Sequence, residues 1–220
     1  MIIRGYGIEL IRLRHEDIEL VRLKRNSEHV RRHMEYREEI SPEMQEKWFA
    51  GINTVRNNYF IIVHEGVKIG LISGADIHWE KKETRNGGIF IWEQEYWNTT
   101  IPLSASFLLT DISFILGLEK TFIRVLRDNT KAIAFNRQLG YRIVDEHDEN
   151  YNQLYVLTQD HYEAKTAKLR ETLLRKTDPQ FICNIDDPDL PWNRNIINIY
   201  DNLSTAQKKN LVLTFKSSEV

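Results

Sequence analysis

Residues 102–118, PLSASFLLTDISFILGL, are apolar around most of the circumference of a helix. A helix with so little polar surface has to be packed against other structure, and a sheet is the surface that best accommodates it. Its neighbours are strand-like: residues 88–92 read GIFIW and residues 121–126 read TFIRVL, both β-branched and aromatic. A strand, a buried helix and a second strand therefore follow one another directly, which points to an α/β fold.

The remaining patterns fill in around this unit. Residues 8–13 alternate well enough for a strand and pass into a helix over 15–26, with Glu16 and Asp17 in its first turn and Ile18, Val21 and Leu23 on it. Ser41 and Pro42 mark the start of another helix, which carries Trp48, Phe49 and Ile52 on its apolar side. Residues 59–63 and 68–77 are expected to pair as a hairpin about Glu65 and Gly66. The segment ETRNGG, residues 83–88, reads as a chain reversal before the next strand.

Asn129 is a natural cap for a helix over 130–139, which Gly140 should stop. Residues 141–144 and 154–157 follow as strands, and residues 161–176 as a solvated amphipathic helix. Residues 178–193, with three prolines, read as a connector. Ser204 to Gln207 form a capping-box pattern leading into a weaker helix over KKNLVL.

With 220 residues, 41% of them apolar, the chain can build one sizeable core. Thirty basic residues are balanced by 32 acidic ones, giving a net charge of -2, which argues against a dedicated nucleic-acid binder. The single cysteine, Cys183, forms no internal disulfide. The first twenty residues lack a signal-peptide apolar core, and no window approaches a bilayer span, so a cytoplasmic location away from membranes is expected.

Two segments resemble the Gcn5-related N-acetyltransferase (GNAT) family. Residues 128–143, DNTKAIAFNRQLGYRI, resemble its second motif: a capping Asn, an Ala-Ile pair and a Leu-Gly-aromatic exit. Residues 87–125 align without a gap with its strand, cofactor loop, long helix and next strand. The resemblance covers residues 6–160 and is strongest to the branch acting on ribosomal-protein N-termini, polyamines and nucleotide-linked amino sugars. It implies a GNAT fold, with a central, mixed, mostly antiparallel twisted sheet flanked by helices. The acetyltransferase domain would occupy residues 1–160 and a C-terminal helix and extension residues 161–220.

The resemblance also implies acetyl-CoA as cosubstrate, no metal, and a small-molecule or peptide amine as acceptor. Phe90, Ile91 and Trp92 would offer backbone groups to the pantetheine arm. Asn98, Thr99, Thr100, Ile101 and Pro102 would face the pyrophosphate, with Asn98 and Thr100 standing where the family has the glycines of a Gly-x-Gly pair. Thr99, Thr100 and Ser104 bring hydroxyls to the same helix mouth. Asn129, Ala132 and Phe135 would shape the other bank of the groove, although Phe135 reads equally as core.

Asn136 occupies the position of a Tyr that many members use to protonate the departing thiolate. An amide is no general acid at neutral pH. Glu93 is the first choice for a general base, with Asp76, His78 and Glu80 at the end of another strand; the alternative is that these are rim charges.

His29 and His33, at i and i+4, lack the glutamate of a zinc motif. Lys24, Arg25, Arg31 and Arg32 would suit a phosphorylated substrate or simply a solvated helix face. Trp48, Trp79, Trp92 and Trp97 read as a substrate wall or as core. Trp192 either pins the tail to the domain or fills a partner's pocket, and the tail itself either covers a sheet edge or joins a homodimer contact. Two functions follow: an acetyl-CoA-dependent N-acetyltransferase, or a binding or scaffold module of the same fold, which the changes at Asn98, Thr100 and Asn136 motivate.

Overall fold

The computed structural model describes residues 1–178 and 180–215. A ten-stranded sheet runs through it. Strands β1 (Ile2–Gly5) and β2 (Ile8–Arg12) form a hairpin, followed by helices α1 (Ile18–Asn26), α2 (Glu28–Arg31) and α3 (Pro42–Ile52). The hairpin β3 (Asn58–His64) and β4 (Val67–His78) leads to β5 (Glu83–Ile91), α4 (Ile101–Ile115) and β6 (Lys120–Leu126). Then come α5 (Thr130–Leu139), β7 (Arg142–Ile143), β8 (Asn152–Thr158) and α6 (Gln159–Leu174). The chain continues through β9 (Phe181–Ile185), α7 (Pro191–Asp201), α8 (Thr205–Lys208) and β10 (Leu211–Phe215).

Across the sheet the order is β10-β9-β1-β2-β3-β4-β5-β6-β8-β7. Only β5–β6 and β9–β10 are parallel. One face carries α4, α6 and α7, with Phe107 and Leu108 of α4 packed in one cluster with Leu10, Phe60, Ile62 and Leu157 of the sheet. The other holds α1 to α3 over Ile61, Val63, Leu71 and Trp92.

Local chemistry accounts for most element ends. Ser41 Oγ accepts from the Met44 N–H at 3.3 Å, capping α3, and Asn129 Oδ1 accepts from the Ala132 N–H at 3.2 Å, capping α5. Gly140 closes α5 at φ 99°, a conformation open to glycine at little cost.

Three readings of the sequence are corrected. ETRNGG is the first part of β5, not a turn; the reversal comes earlier, at Trp79–Lys81, and ends at Lys82 with φ 54°. Gly87 serves close packing instead, since an added Cβ would stand 3.3 Å from the Ile123 side chain and 3.4 Å from the Ser73 carbonyl oxygen. The proline-rich stretch is not merely a connector, because FICNI within it is β9, pairing antiparallel with β1. Finally, α8 is a single turn with both capping-box bonds, and LVL beyond it enters β10, parallel to β9.

The last 35 or so described residues are thus woven into the sheet beside the first strand. The Met1 amino group meets Asp186 at 2.5 Å, and Arg14 reaches the same carboxylate at 2.5 Å. Burial opposes its ionisation, but those two cations prevail and hold Asp186 down at about 2. Trp192 on α7 lies under the Arg12 guanidinium, 5.0 Å from its ring centre. Arg12 is itself buried, which lowers it to about 10.

Candidate active site

The sheet opens at its central parallel pair. β5 and β6 are in register at Glu83–Lys120 and Thr84–Thr121, and again, across a bulge, at Gly87–Ile123. Beyond that point β5 follows β4 as far as Ile91, while β6 follows β8 as far as Leu126. A wedge therefore forms between residues 88–91 and 124–126.

The Trp92 N–H donates to the Ile69 carbonyl at 2.9 Å, so strand alternation turns the backbone groups of Ile89 and Ile91 into the wedge. Phe90 packs on the α1–α3 side, and Trp92 is buried there with its indole N–H on the Lys68 carbonyl at 2.8 Å. One wedge-facing acceptor is already engaged: the Trp97 indole N–H donates to the Ile91 carbonyl at 2.9 Å.

Helix starts stand on both banks. On the β5 side, Asn98, Thr99 and Thr100 are exposed, and Pro102 is buried at the first turn of α4. None of residues 98–102 has a positive φ; Thr100 sits at φ -77°, ψ -9°. Replacement of both glycines therefore costs no backbone strain here. It does change the donors. The Thr99 N–H and hydroxyl both donate to the Tyr96 carbonyl, at 3.1 and 2.8 Å, and the Ile101 N–H donates to Thr99 Oγ1 at 3.2 Å. Ser104 is buried, which leaves the Thr100 hydroxyl as the exposed one of the three not tied into the loop.

On the β6 side, Asn129, Ala132 and Asn136 share a face of α5, whereas Phe135 packs into the main core. Asn136 donates to the Ala132 carbonyl at 2.8 Å, so its amide is held on its own helix.

The three residues expected to be catalytic are not gathered together. Glu93 sits where β5 leaves the wedge and accepts from Lys24 at 2.7 Å. His78 pairs with Glu83 at the opposite end of β5, eight residues and roughly 26 Å of strand from Ile91. There it joins a solvent-facing cluster in which Arg56 donates to Asp76 at 2.5 Å and Glu80 lies 3.4 Å from the imidazole. His78 is thus a rim residue at the far end of the strand, as are Asp76 and Glu80.

Other residues surround the wedge, some of them, His29, His33 and Trp97, singled out in the sequence for other roles. His29 donates to the Trp92 carbonyl at 3.0 Å and lies beside Trp97. Past α2, Arg37 donates to the Tyr151 hydroxyl at 3.4 Å, which donates to Asp128 at 2.8 Å. Burial, then the charges of Arg32, Lys131 and Arg37, lower His33 below the usual histidine range. The α2 segment therefore reaches from the β5 bank to the start of α5. A tyrosine in an acidic loop was the only sequence signal for Tyr151; of its partners, Asp128 opens the motif at 128–143 and nothing marked Arg37. Among the described residues no group of three or more His, Cys, Asp or Glu is placed to hold a metal ion, and no helix is long and apolar enough to cross a membrane.

An open mixed sheet, split at a central parallel pair and flanked by helices, is the acetyltransferase fold that the two motifs led us to expect. The chain belongs to the family described as the acetyltransferase (GNAT) domain, whose model matches residues 8–142. Solved structures agree in fold. FdhC, a nucleotide-linked sugar GNAT, is 19% identical, with a TM-score of 0.65 over 79% of this chain and 98% of its own. RimL, a ribosomal-protein α-N-acetyltransferase in complex with coenzyme A, is 16% identical, with a TM-score of 0.62 over 73% and 99%. A variant of the spermidine N-acetyltransferase SpeG from Vibrio cholerae is 19% identical, with a TM-score of 0.57 over 72% and 97%. A comparison with curated proteins finds no match.

Proposed function

We propose that this chain transfers an acetyl group from acetyl-CoA to a primary amine, on a small molecule such as an amino sugar or polyamine or at a peptide N-terminus. The observation that carries the proposal is the wedge: unpaired strand edges at residues 88–91 and 124–126 lie between two helix starts, with the mouth at Asn98–Thr100 exposed. The residues present fit the cosubstrate. The backbone groups of Ile89 and the Ile91 N–H are available in kind to an extended amide chain, whereas the Ile91 carbonyl already accepts from the Trp97 indole. The α4 start and the Thr100 hydroxyl present donors to a diphosphate, fewer than a glycine loop would.

In this reading both substrates are bound together. The neutral amine attacks the thioester carbonyl carbon, the C–N bond forms, the C–S bond breaks, and the proton lost by the nitrogen balances the one gained by the thiolate. Positioning in the wedge supplies much of the rate, because it converts an encounter into an intramolecular step. Glu93 is the carboxylate best placed to receive the amine proton, directly or through water, with Lys24 orienting it. Asn136 is bonded to its own helix and delivers no proton; solvent reprotonates the thiolate.

A second reading rests on two observations: the Trp97 indole already holds the Ile91 carbonyl, and the loop donors are turned inward. Those features favour a non-catalytic module of the same fold. Thermal unfolding with and without acetyl-CoA, followed by turnover on an amine panel, separates the two. Stabilisation together with turnover supports the enzyme, stabilisation alone supports a ligand-responsive module, and neither leaves only a scaffold.

A further inference from the structure

The segment that joins α1 to α3 carries a charge imbalance that acetyl transfer itself leaves unused. It lies on the α1–α3 side of the wedge, where Met34 packs against the same cluster as Trp92. His29 ties it to the Trp92 carbonyl on one bank, and Arg37 ties it to Tyr151 on the other. Residues 24–37 include Lys24, Arg25, Arg31, Arg32 and Arg37 against Glu28 and Glu35. Lys24 is neutralised by Glu93. Among the described residues none of the four arginines ion-pairs with a carboxylate; the side-chain bonds they make go to the Tyr36 and Met34 carbonyls, to His33 and to the Tyr151 hydroxyl.

Three cations from two elements converge there. Arg32, just past α2, donates from Nε to His33 Nε2 at 3.1 Å. Arg37 stands on the turn beyond, which Arg25 fixes by donating to the Tyr36 carbonyl at 2.8 Å. Lys131 comes from the first turn of α5. After burial, the charges of Arg32, Lys131 and Arg37 are what disfavour a proton on His33, so all three lie close about that imidazole. All three are exposed. Asp128 opposes them, and its carboxylate already accepts from Tyr151 at 2.8 Å. A solvated helix face intersperses its cations with acids along one element. Here segments about a hundred residues apart bring like charges to one point above the wedge, an arrangement that repels itself unless an anion joins it.

Building on the acetyl transfer proposed above, on which this inference rests, we propose that the acceptor amine carries a phosphate group and that Arg32, Arg37 and Lys131 hold it. Two guanidinium forks and an ammonium match the oxygens of a phosphate, and the start of α5 adds its dipole. Three cations in a chain of net charge -2 suit a single phosphate group rather than a nucleic-acid strand. A polyamine meets repulsion at the same place. The phosphate held here is distinct from the diphosphate of acetyl-CoA, whose mouth at Asn98–Thr100 is on the opposite bank.

Binding without turnover tests this. Calorimetric titrations of the full-length chain compare amines that differ only in a phosphate, glucosamine with glucosamine 6-phosphate and ethanolamine with phosphoethanolamine, beside spermidine. They are repeated on Arg32→Gln and Arg37→Gln, exposed positions at which equal thermal midpoints confirm the fold. In at least one pair the phosphorylated amine should bind at least about tenfold tighter than its twin, and each substitution should remove about tenfold of that preference, as the loss of a charge-assisted hydrogen bond would. Spermidine should not bind, and the affinity for acetyl-CoA should stay within about twofold of the parent. No preference in either pair overturns the inference, as does a preference that both variants keep. Variants that weaken acetyl-CoA as much as the phosphorylated amine also overturn it, because the cations would then serve the cosubstrate's own phosphates. A phosphate preference without acetylated product counts against the transfer alone, and product without the preference counts against this inference alone.

Discussion

Replacing Asp111 should separate two kinds of loss that a buried charge can cause. This residue lies mid-way along α4, 6% exposed, with Tyr6 donating to one carboxylate oxygen at 2.5 Å and Arg170 to the other at 2.8 Å. Arg170 also stacks on the Tyr162 ring, 4.5 Å from its centre, and bonds Glu163 near the surface. Asp111→Ala strands a buried guanidinium and a buried hydroxyl together, for which a cost of about 3–5 kcal/mol is expected. At about 2–4 °C per kcal/mol for a chain of this size, the thermal midpoint should fall by about 6–20 °C.

Asp111→Asn keeps the shape, with the amide oxygen accepting from Arg170 and the amide nitrogen donating to Tyr6, whose hydroxyl can turn to accept. Burial raises the Asp111 carboxyl from 3.8 to about 6 even against the pull of Arg170. A carboxyl raised in the fold contributes stability that is present below pH 3.8 and lost as pH rises through about 6. Asn lacks that loss, so its deficit relative to the parent should shrink between pH 4 and pH 7. Calorimetry or circular dichroism at those two pH values measures both effects. If Asp111→Ala costs no more than Glu163→Ala, whose half-exposed carboxylate should be worth about 0–1 kcal/mol, the reasoning fails; equal losses for Asn and Ala would refute the shape argument.

Three further outcomes follow from the same coordinates. Gly70→Ala puts a Cβ 2.7 Å from the Phe90 carbonyl oxygen and 2.8 Å from Ile91 Cδ1, so it should displace β5 at the wedge, destabilise by about 1–3 kcal/mol and weaken stabilisation by acetyl-CoA. Glu93→Gln should lower kcat by about 10²–10⁴ with KM for acetyl-CoA nearly unchanged, while His78→Gln, at the far end of β5, should leave both within about twofold of the parent; equal effects in steady-state assays would remove Glu93 from the mechanism. Asp186 titrates below its unfolded value, so its contribution is complete above pH 3.8 and vanishes as pH falls through about 2, and Asp186→Asn should flatten the acid limb of a stability curve.

What sequence could reveal depended on whether a feature was local. The buried helix α4 announces itself because its apolar residues surround it, and both ends of α5 are written in Asn129 and Gly140. β9 was concealed by the prolines about it, although Phe181, Cys183 and Ile185 alternate inward as a strand should. Gly87 misled for a related reason: the same residue type serves a turn and a close strand approach, and only the neighbour at Ile123 decides which. A polar Asp111 in so apolar a helix hinted at a buried partner, but Tyr6 and Arg170 lie 105 and 59 residues away. The candidate site divides likewise. Its strand edge, loop and cap lie in contiguous motifs, whereas the Lys24–Glu93 pair and the Arg37–Tyr151–Asp128 chain exist only once the sheet brings distant segments together.

The central claim is acetyl transfer within the β5–β6 wedge, and mass spectrometry of amine products tests it most directly. Full-length chain is incubated with acetyl-CoA and a panel of amino sugars, polyamines and peptide amines, beside Gly70→Ala. The account predicts an N-acetylated product from at least one amine, formed with an equal amount of free CoA and diminished by that substitution. No acetylated amine anywhere in the panel, with thermal unfolding unmoved by acetyl-CoA, would contradict it.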